Sequence, residues 1–428
     1  MKFLFIHPNM PGQYKHLVRT FADQPEHEVV FITKPSKVQI EGVKKIEYKV
    51  SRQAQPETHK YLLSLEKYIY SAQEVWRVCQ ALKTQGFEPD IVCAHPGWGD
   101  TLLLRDFYKD IPFLYFMEFY YHAHGSDSNF LNKEPTSHDE AAQIRFKNSL
   151  HLMNAEACDL AISPTHFQAQ KHPPEFLSKF SIIHDGIDTE TIQPSEKNDL
   201  TLPNGKVIKA KTPLITYVTR NIEPYRGFPT FIKAIELILK KNPDVEVLVI
   251  GGDGSGYGKS APKGTSHKEI AMQGLDLDFE RVHFFGKVPY PYYLKVLQAS
   301  SLHMYLTVPF VLSWSLLESM AAGCCVLASD TEPVREVIQD QKNGCLVDFF
   351  DHEGFAHKAL ELLSHKDLAD QLKTKARETI MKHYALKDLL PLHIELIETL
   401  AKKECTKKIL KKIKTRSNSI KRHLGGKS

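Results

Sequence analysis

Short, wholly apolar runs recur along this 428-residue chain, each followed by a longer amphipathic stretch, and the series stops once and then begins again. The first series is "FLFI" (3–6), "EVVFIT" (28–33), "DIVCAH" (90–95), "PFLYFM" (112–117), "DLAIS" (159–163) and "SIIHDG" (181–186). Runs of this length, alternating with helix-period stretches such as 65–85 and 138–156, predict βαβ units around a parallel sheet. A polar, proline-containing segment at 193–213 predicts a linker. The second series follows: "LITYVT" (214–219), "VEVLVIGG" (245–252), "RVHFFG" (281–286), "LHMYL" (302–306), "CCVLAS" (324–329) and "GCLVDF" (344–349). The expectation is two doubly wound α/β domains in tandem, 1–200 and 210–385, which also suits a chain too long for one core. Ligands of open sheets sit beyond the carboxyl ends of the strands, so the loops there matter most.

Charge separates the body from its end. The formal net charge is +4, but residues 402–428 hold 11 of the 55 basic side chains and one of the 51 acids. The first 401 residues therefore balance 44 basic against 50 acidic groups, or −6. A mildly acidic body argues against general affinity for nucleic acid. In the basic tail Ile409, Ile413, Ile420 and Leu424 share one helical stripe among lysines, which suits an anionic membrane surface; a disordered solubilising tail is the rival reading. The seven cysteines form no C-x-x-C pair, and Cys324 and Cys325 read as small buried hydrophobes of a reduced, cytoplasmic protein. The opening "MKFLFIHPNMPG" is too briefly apolar for a signal peptide, and no run approaches a membrane span, so a soluble or peripheral protein is expected.

Several loops invite chemistry. In "HPNMPGQY", Gly12 would let a backbone approach a ligand, or simply make a tight turn. "GGDGSGYG", with Gly252 and Asp253, lacks the spacing of a nicotinamide-binding fingerprint. In "TRNIEPYRG", Arg220 ends a strand and Arg226 precedes a helix; they are either solvated surface charges or a clamp for a diphosphate. Cations held there would stabilise a departing nucleoside diphosphate without a metal. Glu318 falls inside an apolar helix, where an unpaired carboxylate is costly, so it needs a partner: a ribose diol, a cap or a salt bridge. His122 and His124 form an H-x-H pair that with Glu118 could suggest zinc, but no further ligands are evident. Asp127 could hold an acceptor hydroxyl.

These motifs resemble a known family. "TRNIEPYRG", "VIGGDGSGYG", "RVHFFGKVP", "LTVPFVLSWSLLESMAAGCCVLASD" and "NGCLVDFFD", in that order, are similar to the donor domain of the retaining GT-B glycosyltransferases of family 4. "HPNMPGQYKHL", "AHPGWGDTLLL", "FMEFYYHAHGSD", "SPTHFQ" and "IIHDGIDTETIQP" resemble a bacterial branch of it, so the likeness covers about residues 1–385. It implies two Rossmann-like domains facing a cleft, acceptor side first and nucleotide-sugar donor side second. It also implies that 386–401 forms a helix packing back on the first domain.

The implied activity is retaining, metal-independent transfer of a sugar from a nucleotide diphosphate to a glycan or lipid-linked acceptor of envelope polysaccharide, with no cofactor. By resemblance Arg220 and Arg226 match the pair that binds the diphosphate, and Glu318 matches the second Glu of an E-x7-E element. Phe310 stands where the first Glu is usual, which would leave sugar recognition to the backbone N–H groups of Val311, Leu312 and Ser313. Glu118 stands where many members place a histidine, with His122 and His124 close behind. A nucleotide-sugar-binding protein without transferase activity and a nucleotide-sugar epimerase are the alternatives; the motifs supply no deprotonating constellation for the second. A phosphorylase of this fold would carry a pyridoxal-binding lysine.

Overall fold

The computed structural model describes residues 1–423 except residues 133, 197 and 255. Seven strands form the first sheet: β1 (Lys2–Ile6), β2 (Glu28–Thr33), β3 (Val43–Glu47), β4 (Ile91–Ala94), β5 (Phe113–Phe116), β6 (Leu160–Ser163) and β7 (Phe180–Ile182). They pair in parallel in the order β3-β2-β1-β4-β5-β6-β7. The central strands are buried on both faces, which is why they read as continuous apolar runs. β3, an edge strand reading "VKKIE", has no such run and was not expected.

The second domain opens earlier than its first long strand. Within the expected linker, β8 (Leu200–Thr201) and β9 (Val207–Ile208) pair as an antiparallel hairpin. Leu200, Leu202 and Ile208 of this hairpin pack on Leu214, Leu248 and Ile250. Then come β10 (Leu214–Asn221), β11 (Glu246–Gly252), β12 (Val282–Phe284), β13 (Leu302–Tyr305), β14 (Val326–Ser329) and β15 (Cys345–Val347). Their order is β12-β11-β10-β13-β14-β15, again all parallel. Both sheets thus reverse direction beside their first strand, between β1 and β4 and between β10 and β13. Loops leaving such neighbouring strands diverge and open a crevice.

Two further departures have local causes. The helix expected over 138–156 is two helices, His138–Lys147 and Ser149–Ala157, meeting at Asn148. There the Asn148 amide brackets Tyr121, accepting from its N–H (3.2 Å) and donating to its carbonyl (2.7 Å). The basic tail forms the helix Lys407–His423. Its Ile409 and Ile413, each 2% exposed, join the first domain's core with Phe3, Phe5 and Val18, as do Leu389, Leu396 and Ile397 of the helix Leu386–Ala401. Ile420 packs on the second domain's core, and Ser417 Oγ meets His166 Nε2 at 2.7 Å. The isoleucine stripe is therefore covered by protein, which corrects the expectation that it faces a membrane; Leu424 lies outside the described residues. Among the described residues no helix is long and apolar enough to cross a bilayer.

Candidate functional site

The two switch points face each other and enclose a cavity of about 850 Å³. The first domain contributes the turn after β1, with Gly12 and Gln13, and the helix Lys15–Ala22 that follows it, with Lys15 and Arg19. Gly12 is required there: its φ is +53°, and an added Cβ would lie 2.7 Å from the His7 ring. From the second domain come Arg220, Lys287, Ser313 and Glu318. Arg220 is exposed because the β10–β11 register shifts between Val218 and Asn221, which turns the strand end out of the ladder. Lys15, Arg19, Arg220 and Lys287 together make this wall electropositive, with Asp185, Asp188 and Glu318 as the carboxylates among its described lining.

Glu318 lies on the helix Trp314–Ala321, on the side facing this cavity. Its Oε1 accepts from the Tyr290 hydroxyl (2.9 Å) and its Oε2 from the Tyr293 hydroxyl (2.7 Å). Burial raises its carboxyl above the ordinary range, and the two phenols oppose that shift. These tyrosines answer the question of a partner for the buried carboxylate, and each oxygen keeps a lone pair for a ligand hydroxyl. Lys15 reaches across from the first domain to within 5.6 Å of the Tyr290 ring centroid.

At the ends of β1, β4 and β5 sits a group that sequence reasoning only half identified. Glu118 Oε1 accepts from Gln13 Nε2 (3.3 Å), and its Oε2 lies 3.5 Å from His95 Nε2. His7 stands 5.3 Å from His95, ring to ring, and burial lowers its pKa to about 3, so it is a neutral ring. His7 and His95 each follow an apolar run at a strand's carboxyl end. That position was the available signal for both, and equally for Lys287 after β12.

Other expected site residues lie elsewhere. Arg226 does not face the anion cavity: the turn Pro224–Arg226 carries it under Tyr257, leaving it 6% exposed. Its Nη1 donates to Thr307 Oγ1 (2.8 Å) and to the Val311 carbonyl (2.9 Å), so it holds the 307–313 turn in place. Phe310, 4% exposed, packs against Phe119 (4.6 Å) and Tyr257 (4.9 Å), an aromatic seam between the domains. Ser313 lines the anion cavity, but its N–H is already given to Tyr305 Oη (2.8 Å). Asp253 pairs with Lys268 (2.8 Å) outside the cavity, while Gly252 approaches Asn221 and Lys287.

His122 and His124 do not join Glu118. His122 Nε2 instead bonds the Lys171 carbonyl (2.7 Å), and His124 is exposed. Among the described residues no group of three or more His, Cys, Asp or Glu is arranged to hold a metal ion. Asp127 lines a different cavity.

Residues 25–192 match the family described as Glycosyl transferase family 4 group, and residues 201–379 match Glycosyl transferases group 1. The phosphatidyl-myo-inositol mannosyltransferase of Mycolicibacterium smegmatis is 25% identical over 206 residues, 47% of each chain. The chain spans about half the length of the curated relatives it matches. Among solved structures, sucrose-phosphate synthase from Thermosynechococcus elongatus superposes with a TM-score of 0.70 at 16% identity, covering 94% of this chain and 99% of that one. Anabaena HepE in complex with UDP-glucose gives 0.63 at 15%, covering 93% and 100%. Family matches along both domains and two facing parallel-sheet domains of this topology agree: the chain belongs to the GT-B glycosyltransferases of the family 4 type.

Proposed function

We propose that this glycosyltransferase moves a sugar from a nucleotide diphosphate to a glycan or lipid-linked acceptor of envelope polysaccharide, with retention at the anomeric carbon and without a metal. The observation that carries the reading is the presence of Arg220 and Glu318 in one interdomain cavity, opposite the Gly12 loop. Glu318, held by two phenols, accepts the ribose hydroxyls. Arg220 and Lys287 meet the diphosphate, and their preorganised charge stabilises the oxygens on which negative charge grows as the C1–O bond breaks. On this reading Glu118, a first-domain carboxylate bonded to Gln13 of the Gly12 loop and close to His95, faces the acceptor. Phe310 closes the seam between the domains instead of binding the sugar. For attachment to the inner membrane face, the available surface is the exposed Lys407, Lys408, Lys411 and Lys414, each worth about 1 kcal/mol near anionic lipid.

The test is a thermal-shift panel of UDP, GDP and their sugars. At least one nucleotide should raise Tm with a saturating dose dependence, and Glu318→Gln should weaken that shift. No shift with any nucleotide would overturn the reading.

A further inference from the structure

The short helix His166–Gln170 belongs to the first domain, but its start is completed by the second. Its own cap, Thr165, takes only the Gln168 N–H (3.1 Å), and the first bond inside the helix runs from the Ala169 N–H to the Thr165 carbonyl (3.1 Å). A helix start leaves the N–H groups of His166 and Phe167 without an internal acceptor. Both go to the carboxylate of Glu336, the first to Oε1 (2.5 Å) and the second to Oε2 (2.8 Å). Glu336 directly follows the second-domain helix Glu332–Arg335, whose Glu332 pairs with Lys171 (3.2 Å) just past the far end of the first-domain helix. The Glu332 pair is solvent-facing and adds little; the carboxylate that takes two N–H groups is the stronger hold.

The middle of the same helix reaches Glu118. Gln168 is buried, its Oε1 accepts from the Thr165 hydroxyl (2.9 Å), and its Nε2 donates to the Glu118 carbonyl (2.9 Å), so its amide is fixed in one orientation. Phe167 turns toward Phe119 (6.3 Å between ring centroids), beside the Phe310 seam. The backbone from which the Glu118 side chain meets Gln13 and His95 is therefore fastened to this helix, and the start of the helix is fastened to Glu336.

We propose that Glu336 is a positioning residue: through the helix His166–Gln170 and the Gln168 amide it sets Glu118 at the cleft, and does so only while the two domains are apposed. A cap needed for helix stability alone is available from the neighbouring chain, as Thr165 shows for the third N–H. An acceptor drawn from 170 residues away makes the footing of this helix depend on the other domain. The part played by Glu118 rests on the transferase reading; the mechanical link from Glu336 does not.

Hydrogen exchange of the full chain, with Glu336→Ala and Glu336→Gln, tests the link. In Glu336→Ala the His166 and Phe167 amides should exchange about tenfold faster or more, while Ala169 and His172, bonded within the helix, keep their protection. The segment 117–122, reached through Gln168, should speed up as well. Glu336→Gln keeps one acceptor oxygen and should give the same pattern more weakly, which decides the matter if the alanine variant fails to fold. Unchanged exchange at 166 and 167, faster exchange there with none at 117–122, or melting of the whole helix would each overturn the proposal. In assays of released nucleoside diphosphate, Glu336→Gln should lower kcat about tenfold with the donor KM nearly unchanged. The double variant Glu336→Gln/Glu118→Gln should be no slower than Glu118→Gln alone; losses that multiply would show two separate actions and overturn the positioning role. Absence of transfer from every nucleotide sugar, with both exchange effects present, would instead count against the transferase reading alone.

Discussion

Arg220 and Arg226 lie six residues apart and have unrelated tasks, and their alanine variants should separate accordingly. Arg220 is exposed in the anion cavity and makes no hydrogen bond that folding needs, so Arg220→Ala should leave Tm nearly unchanged. It should lower kcat by about 10²–10³-fold, as loss of preorganised charge does. Arg226→Ala strips a charged donor from Thr307 and from the Val311 carbonyl and opens a space under Tyr257. Roughly 2–4 kcal/mol of stability should go with it, and Tm should fall clearly. Differential scanning fluorimetry and released nucleoside diphosphate measure both; a stable, inactive Arg226→Ala protein would contradict this division. That Arg220 lines the cavity was legible because the end of a buried strand at a switch point opens there. The sequence could not place Arg226, since nothing in the spacing reveals that Pro224 starts a tight turn which buries the guanidinium. His122 and His124 failed for the same reason: the direction of a loop after its strand is a tertiary fact.

At the scale of elements, buried parallel strands were legible because both faces demand apolar residues, leaving an uninterrupted run such as "VEVLVIGG". β3 has one open edge and carries Lys44 and Lys45, and the β8–β9 hairpin has two-residue strands, so neither writes a run into the sequence. The helix Lys407–His423 was legible as an amphipathic helix, but its partner was not, because a lysine-rich helix with an isoleucine stripe looks the same on lipid or on protein. Burying Ile409 and Ile413 contributes roughly 1.5–3 kcal/mol each. Truncation after Leu400 should therefore lower Tm by several degrees, the shift being on the order of 2–4 °C per kcal/mol in domains of this size. A truncated chain with unchanged Tm would mean that the helix does not dock, and would return its stripe to the membrane.

Over the whole molecule, buried histidines are distributed unevenly, and acid should reveal it. Burial lowers the pKa of His7, His151 and His303 to about 3 and that of His172 to about 4, and lowers those of His16, His184 and His393 as well. His303 alone belongs to the second domain; the others pack in the first domain or on the Leu386–Ala401 helix that covers it. The unfolded chain takes up these protons near pH 6.5 and the native chain does not until much lower. Stability is therefore complete above about pH 6.5 and is lost as pH falls, by at most about 1.4 kcal/mol per pH unit for each histidine. Raised carboxyls act oppositely, since the native state holds their protons to higher pH: Asp100, near pKa 6, and Asp127 in the first domain, Glu223 and Glu318 in the second. Six histidines thus draw stability from the first domain as pH falls, against one in the second. Scanning calorimetry from pH 7.5 to pH 5 should show one transition moving down and broadening into two, with the first domain melting before the second. A nucleotide bound to Glu318 and Arg220 should hold the second transition up without rescuing the first. A single transition that keeps its Tm across this range would show that the histidines are protonated without cost, and that the first domain is looser in solution than its packing indicates.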